Sequence, residues 1–69
     1  MKIHTDIVGA IYYKDPDTRF WFGGVKKHDG FVACSDIVKD TSKILLKQRL
    51  RTMVQIYLVE QKEERMQNG

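Results

Sequence analysis

The sequence predicts an α+β fold, a three-stranded antiparallel meander packed on one long C-terminal helix. Three observations carry that expectation. The first half of the chain is rich in β-branched and aromatic residues arranged in short runs. Those runs are separated by turn signals, Asp15-Pro16-Asp17-Thr18 and Asp29-Gly30. In the second half Leu46, Leu50, Met53, Val54 and Tyr57 recur at helical spacing.

The first strand is expected over Ile7 to Tyr13, with Ile7, Gly9, Ile11 and Tyr13 on one face and Val8, Ala10 and Tyr12 on the other. Asp15 suits the first position of the turn that follows, and Pro16 pre-sets φ at the second. Arg19 to Val25 is the second strand. Alternation there places Phe20 and Phe22 on one face, expected to lie under the helix, and Trp21 on the other. Gly23-Gly24 predicts a bulge or a close backbone approach. Phe31 to Cys34 is the expected third strand. The helix is expected from about residue 36, capped by Ser35 or Asp36, with Asp40-Thr41-Ser42 as a second capping candidate. It should reach the high fifties. Residues 54–59 have a composition that also suits a fourth strand, but no Gly or Pro separates them from the helix. The tail, 60–69, is polar and expected to fray.

A chain of 69 residues reads as one domain. A domain this small buries only about 60% of the surface its unfolded chain exposes, so it usually needs a staple. One cysteine, Cys34, forbids an internal disulfide, and no Cys-x-x-Cys or His-x-x-x-His pair suggests zinc. Association with another copy is the remaining staple. No apolar run has the roughly 20 residues of a membrane span, and the N-terminus does not read as a signal peptide. With a lone cysteine, a reducing cytoplasm is the expected setting.

The net charge is +3 but unevenly spread. Residues 39–52 hold Lys39, Lys43, Lys47, Arg49 and Arg51 against Asp40 alone, a net of +4. Lys39, Lys43, Lys47 and Arg51 stand four residues apart and would form one stripe on a helix. Like charges at that spacing cost about 0.2–0.5 kcal/mol per pair. The stripe is either a solvated outer face or a surface for an acidic partner or nucleic-acid phosphate.

The aromatic cluster Tyr12, Tyr13, Phe20, Trp21 and Phe22 can stack unpaired bases, but cross-strand packing is the commoner use. Trp21, expected on the face away from the helix, is the first choice for an interface anchor, with basic Arg19, Lys26 and Lys27 alongside. No catalytic, metal or cofactor site is expected. His4 and His28 lack an oriented partner in the sequence, Cys34 reads as a small apolar strand residue, and Asp15, Asp17, Asp29 and Asp36 fall at turns or caps. Gly23-Gly24 lacks the Lys-Ser/Thr of a phosphate loop. Ile44, Ile56, Leu58 and Val59 fall partly outside the main helical stripe and, with Met53 and Tyr57, form the expected dimer interface.

The order of these features resembles one family. Ala10 to Leu45 resembles the HicB-like antitoxin domain, a β-β-β-α unit: AIYYKDPDT as its first strand and acidic turn, FWFGGV as its aromatic second strand, and Gly30 to Asp36 as its glycine-led entry into the helix. Two departures stand out. Lys26-Lys27-His28-Asp29 replaces the family's Pro-rich loop, and the residues after the helix are too few for the C-terminal DNA-binding domain many members carry. The resemblance implies neutralisation of a toxin-like protein by direct contact, without a dedicated DNA-binding module. The expectation is therefore a non-catalytic protein-binding homodimer. The alternative is a small nucleic-acid-binding regulator using Lys39, Lys43, Lys47 and Arg51.

Overall fold

The structure, a computed structural model, describes residues 2–27, 32 and 36–68, with side chains described as far as Glu63. Three strands form one antiparallel sheet in the order β1 (Ala10–Lys14), β2 (Trp21–Val25), β3 (Val38–Asp40), and one helix, α1 (Lys43–Asn68), follows. The expected β-β-β-α meander is therefore present.

The hairpin joining β1 to β2 is built by Asp15. Its carboxylate accepts from the backbone N–H of Asp17 at 3.2 Å and from the Thr18 hydroxyl at 2.9 Å, and its carbonyl accepts from Arg19 N–H at 2.9 Å. Arg19, expected to begin the second strand, instead sits in the turn with φ +63°, a left-handed conformation rare for a side chain this size. The strand starts two residues later, with Lys14 opposite Trp21 and Ala10 opposite Val25.

Pairing continues without a bulge, and the two glycines serve close approach instead. A Cβ on Gly23 would lie 2.7 Å from Leu50 Cδ1, 2.9 Å from the Ile11 carbonyl oxygen and 2.9 Å from Tyr12 Cβ. The helix rests on bare backbone here. A Cβ on Gly24, facing the other way, would lie 2.3 Å from a methyl group of Val32. The helix therefore covers the face carrying Ala10, Tyr12, Trp21, Gly23 and Val25. This inverts the expected assignment: Trp21 packs under the helix, and Phe20 and Phe22 lie on the opposite face. The bulky row Tyr13, Phe20 and Phe22 would hold a helix off the sheet, whereas Gly23 and Ala10 admit it.

The third strand is Val38–Asp40. The expected strand over Phe31 to Cys34 falls outside the described residues except for Val32, which is not in a strand. Val38 pairs with Gly23 and Asp40 with Trp21, so the segment expected to open the helix is sheet instead. The second capping candidate is the one used. The carboxylate of Asp40 accepts from Ser42 N–H at 2.8 Å, and the Ser42 hydroxyl accepts from Leu45 N–H at 3.3 Å. From that cap the helix continues to Asn68. Residues 54–59 are helical, and so is the backbone of the tail to 68, where Glu, Gln, Lys, Arg and Met favour a helix and no Gly or Pro intervenes.

The core is Ile7, Ala10, Tyr12, Val25, Leu46, Leu50 and Val54, with Trp21, Val38, Met53 and Tyr57 packed against it. Leu46 and Leu50 have no exposed surface, and each contributes about 1.5–3 kcal/mol by burial. The Gly23→Ala variant is expected to lose about 1–3 kcal/mol, because backbone and Tyr12 Cβ cannot rotate out of the way. Urea denaturation checks this, and an unchanged midpoint would show that the helix is not seated on that glycine.

Candidate functional site

The best-organised polar cluster joins the N-terminal segment to the sheet and helix. His4 pairs with Tyr12 on the outer edge of β1 through two backbone hydrogen bonds, His4 N–H to the Tyr12 carbonyl at 2.8 Å and Tyr12 N–H to the His4 carbonyl at 3.1 Å. The His4 ring stacks on Tyr12 at 4.9 Å and meets Trp21 at 5.7 Å. Beyond it, the Tyr12 hydroxyl donates to the Asp6 carboxylate, and Lys47 Nζ reaches the other Asp6 oxygen at 3.0 Å. Tyr12 thus passes through the core and emerges at an ion pair.

These groups hold one another in fixed charge states. The Tyr12 hydroxyl and then Lys47 lower the Asp6 carboxyl from its ordinary 3.8 to about 2. Burial, then the Asp6 carboxylate, raises Tyr12, and the bond to Asp6 raises Lys47. Each shift moves a group away from neutral pH. The carboxylate is a poor base, and neither Tyr12 nor Lys47 is poised to lose its proton near neutrality. The trio works as a latch on the chain's N-terminal segment.

The predicted basic ladder is broken up by the fold. Lys39 lies in β3, not on the helix, and its ammonium sits over the Phe20 ring at 5.2 Å on the face away from α1. Lys43 lies over Trp21 at 5.3 Å, and Lys47 is paired with Asp6. Arg51 is exposed and borders a shallow hollow with Asp6, Ile7, Val8, Val54 and Gln55. The spacing suggested a stripe because Lys39 is four residues before Lys43, but the chain turns between them at Thr41-Ser42.

The predicted partner-binding set does not converge either. Trp21 is half-buried against the core, between Tyr12, His4 and Lys43, and is not a free anchor. Arg19 lies near one end of β2 and Lys26 and Lys27 beyond the other, roughly 16 Å away along a five-residue strand. Lys27 pairs with Asp36 at 3.7 Å and lies over the Tyr57 ring at 4.3 Å. Sequence reasoning missed the aromatic row on the opposite face. Tyr13 and Phe22 stack at 5.8 Å, Phe20 meets Phe22 at 6.5 Å, and Lys39 caps Phe20. The alternation was legible, but which face the helix takes was not.

The expected dimer interface divides three ways. Met53 and Tyr57 are partly buried and pack against the core. Ile44 and Leu58 project from one flank of α1, and Ile56 and Val59 from the other, beside Leu45. Ile44 is 69% exposed, and Leu45, Ile56, Leu58 and Val59 are each 51–54% exposed. Among the described residues no three His, Cys, Asp or Glu side chains converge as a metal site, and no helix is long and apolar enough to cross a membrane. His28 and Cys34 lie outside the described residues.

A lowered Asp6 contributes stability above its unfolded value and loses that contribution as pH falls through its folded value. The stability gap between the wild-type chain and Asp6→Asn should therefore be constant near neutrality and narrow as pH falls from about 4 through about 2. Denaturation midpoints at stepped pH values check this, and a gap undiminished between pH 7 and pH 2 would rule out the latch. No family model, curated protein or solved structure matches the chain.

Proposed function

We propose that the chain is a non-catalytic protein-binding domain that acts as a homodimer and neutralises a partner protein by direct contact in a reducing, cytoplasmic setting. The observation that carries this reading is the apolar surface left uncovered. Five aliphatic side chains along the helix remain half or more exposed, and among the described residues no second layer covers them. The polar cluster offers no competing chemistry, since its charges are fixed by one another. The resemblance of Ala10 to Leu45 to HicB-like antitoxins supports neutralisation as the task.

The contact surface is the sheet face away from the helix. Tyr13, Phe20 and Phe22 form a half-buried aromatic row that, unlike Trp21, is not packed under the helix, and Lys39 adds a cation at its end. Rigid aromatics with a nearby cation are the usual anchors of tight protein contacts. Trp21 is left to the core. A continuous phosphate-binding stripe is disfavoured, because Lys39 and Lys43 face opposite sides of the sheet and Lys47 is neutralised.

The test is capture of the native partner by tagged chain, followed by titration with that purified partner. Phe22→Ala and Lys39→Ala are expected to weaken the complex at least about tenfold while leaving the circular dichroism spectrum unchanged. Lys43→Ala with Arg51→Ala should have little effect. Tight, steeply salt-dependent binding to nucleic acid that is lost in the Lys43/Arg51 pair would replace this reading with the regulator.

A further inference from the structure

One flank of α1 carries a pattern that the core does not use and that the sheet touches through Arg49, whose guanidinium donates to the Lys39 carbonyl at 3.3 Å. Leu45, Arg49, Thr52, Ile56, Val59 and Glu63 follow one another at alternating intervals of four and three residues, the spacing of a coiled-coil seam. All six are exposed. At 100° per residue the seam lies roughly 140° around the helix from the side held by Leu46, Leu50 and Val54, so its aliphatic residues point away from the core, and β3 reaches it at Arg49. A shallow hollow lined by Gln48, Arg49, Thr52 and Met53 runs beside it. The other flank repeats the spacing as Ile44, Gln48, Arg51, Gln55, Leu58 and Lys62, but it holds two apolar residues against two cations and abuts the Asp6–Val8 corner.

Resting on the homodimeric reading above, we infer that two copies pair through this seam with their helices antiparallel. Charge selects the direction. The helix begins with Lys43, Lys47, Arg49 and Arg51 and no acid, and its later half carries Glu60, Glu63 and Glu64 against Lys62 and Arg65. On the seam itself the only cation is Arg49 and the only acid is Glu63, with Glu60 alongside. A parallel pair sets Arg49 against Arg49 and Glu63 against Glu63. An antiparallel pair lays the basic half of each helix along the acidic half of the other and opposes the two helix dipoles. In the register that uses the whole seam, Thr52 faces Ile56 of the second copy and Arg49 faces its Val59, within reach of its Glu60 and Glu63. The helix is about 39 Å long at 1.5 Å per residue, and its last turns run past the sheet. Those turns find their cover along the first turns of the second copy.

The experiment is disulfide trapping with the full chain and Cys34 replaced by serine. Arg49→Cys and Val59→Cys variants are each oxidised alone and after mixing, with chain mass read under denaturing conditions. The mixture should cross-link and neither variant alone should, because each cysteine lies about 15 Å along the axis from its own copy in the antiparallel pair. Cross-linking of Arg49→Cys with itself overturns the proposal in favour of a parallel pair. A stable dimer in sedimentation with no cross-link in the mixture overturns the seam and leaves the homodimer standing, and a monomer overturns both. Independently of any cysteine, Arg49→Glu should weaken self-association several-fold, and adding Glu60→Lys and Glu63→Lys to it should restore the affinity. Failure of that rescue counts against the antiparallel arrangement.

Discussion

The side chain of Leu50 rests on the bare backbone of Gly23, and the placement of the other elements follows from that contact. It brings the helix close enough for Leu46 and Val54 to close over Tyr12, Ala10 and Val25. It fixes which sheet face is covered, because the opposite face carries Tyr13, Phe20 and Phe22, which would hold a helix off the sheet. Trp21 is drawn in under the first turn of α1, and Phe20 and Phe22 are turned out. The second glycine does the same service on the far side, where Val32 packs on Gly24. Two adjacent glycines thus let a three-stranded sheet be approached from both faces.

Tyr12 links this core to the chain's beginning. Its ring is buried beside Leu46 and Leu50, while its hydroxyl reaches Asp6 and, through it, Lys47. The N-terminal segment is held twice, by backbone pairing of His4 with β1 and by this charged bond at its corner. Such a latch is sensitive to acid and to salt, because the ion pair is partly exposed and screened.

Much of the architecture was legible in the sequence, and the parts that were not have identifiable causes. Strand alternation, the Asp15-Pro16 turn and the helical recurrence of Leu46, Leu50 and Val54 follow from local chemistry and were sufficient for the β-β-β-α order. The choice of sheet face is not local. It depends on the size of Gly23 against Leu50, 27 positions further along the chain, and a pattern of alternation is silent about it. The third strand was hidden because Ser35 and Asp36 are good helix caps, although Ile37-Val38 is β-branched and Asp40-Thr41-Ser42 caps equally well. That misplacement put Lys39 on a helix and created a basic ladder the folded chain does not have. The surplus of apolar residues on the helix was legible, but its division into two flanks required the helix to be docked first.

What remains is a small α+β unit whose interior is well made and whose helix is only half used. The core takes one side of α1, and the exposed aliphatics on the other sides have no cover among the described residues of one chain. Closure by a second copy resolves this, and it links folding to association. Thermal unfolding over a roughly hundredfold range of protein concentration reads that link directly. The account predicts a midpoint that climbs with concentration, because association stabilises only the folded chain. A midpoint independent of concentration, with a cooperative transition, would show that one chain is sufficient and that the exposed helix surface has another purpose.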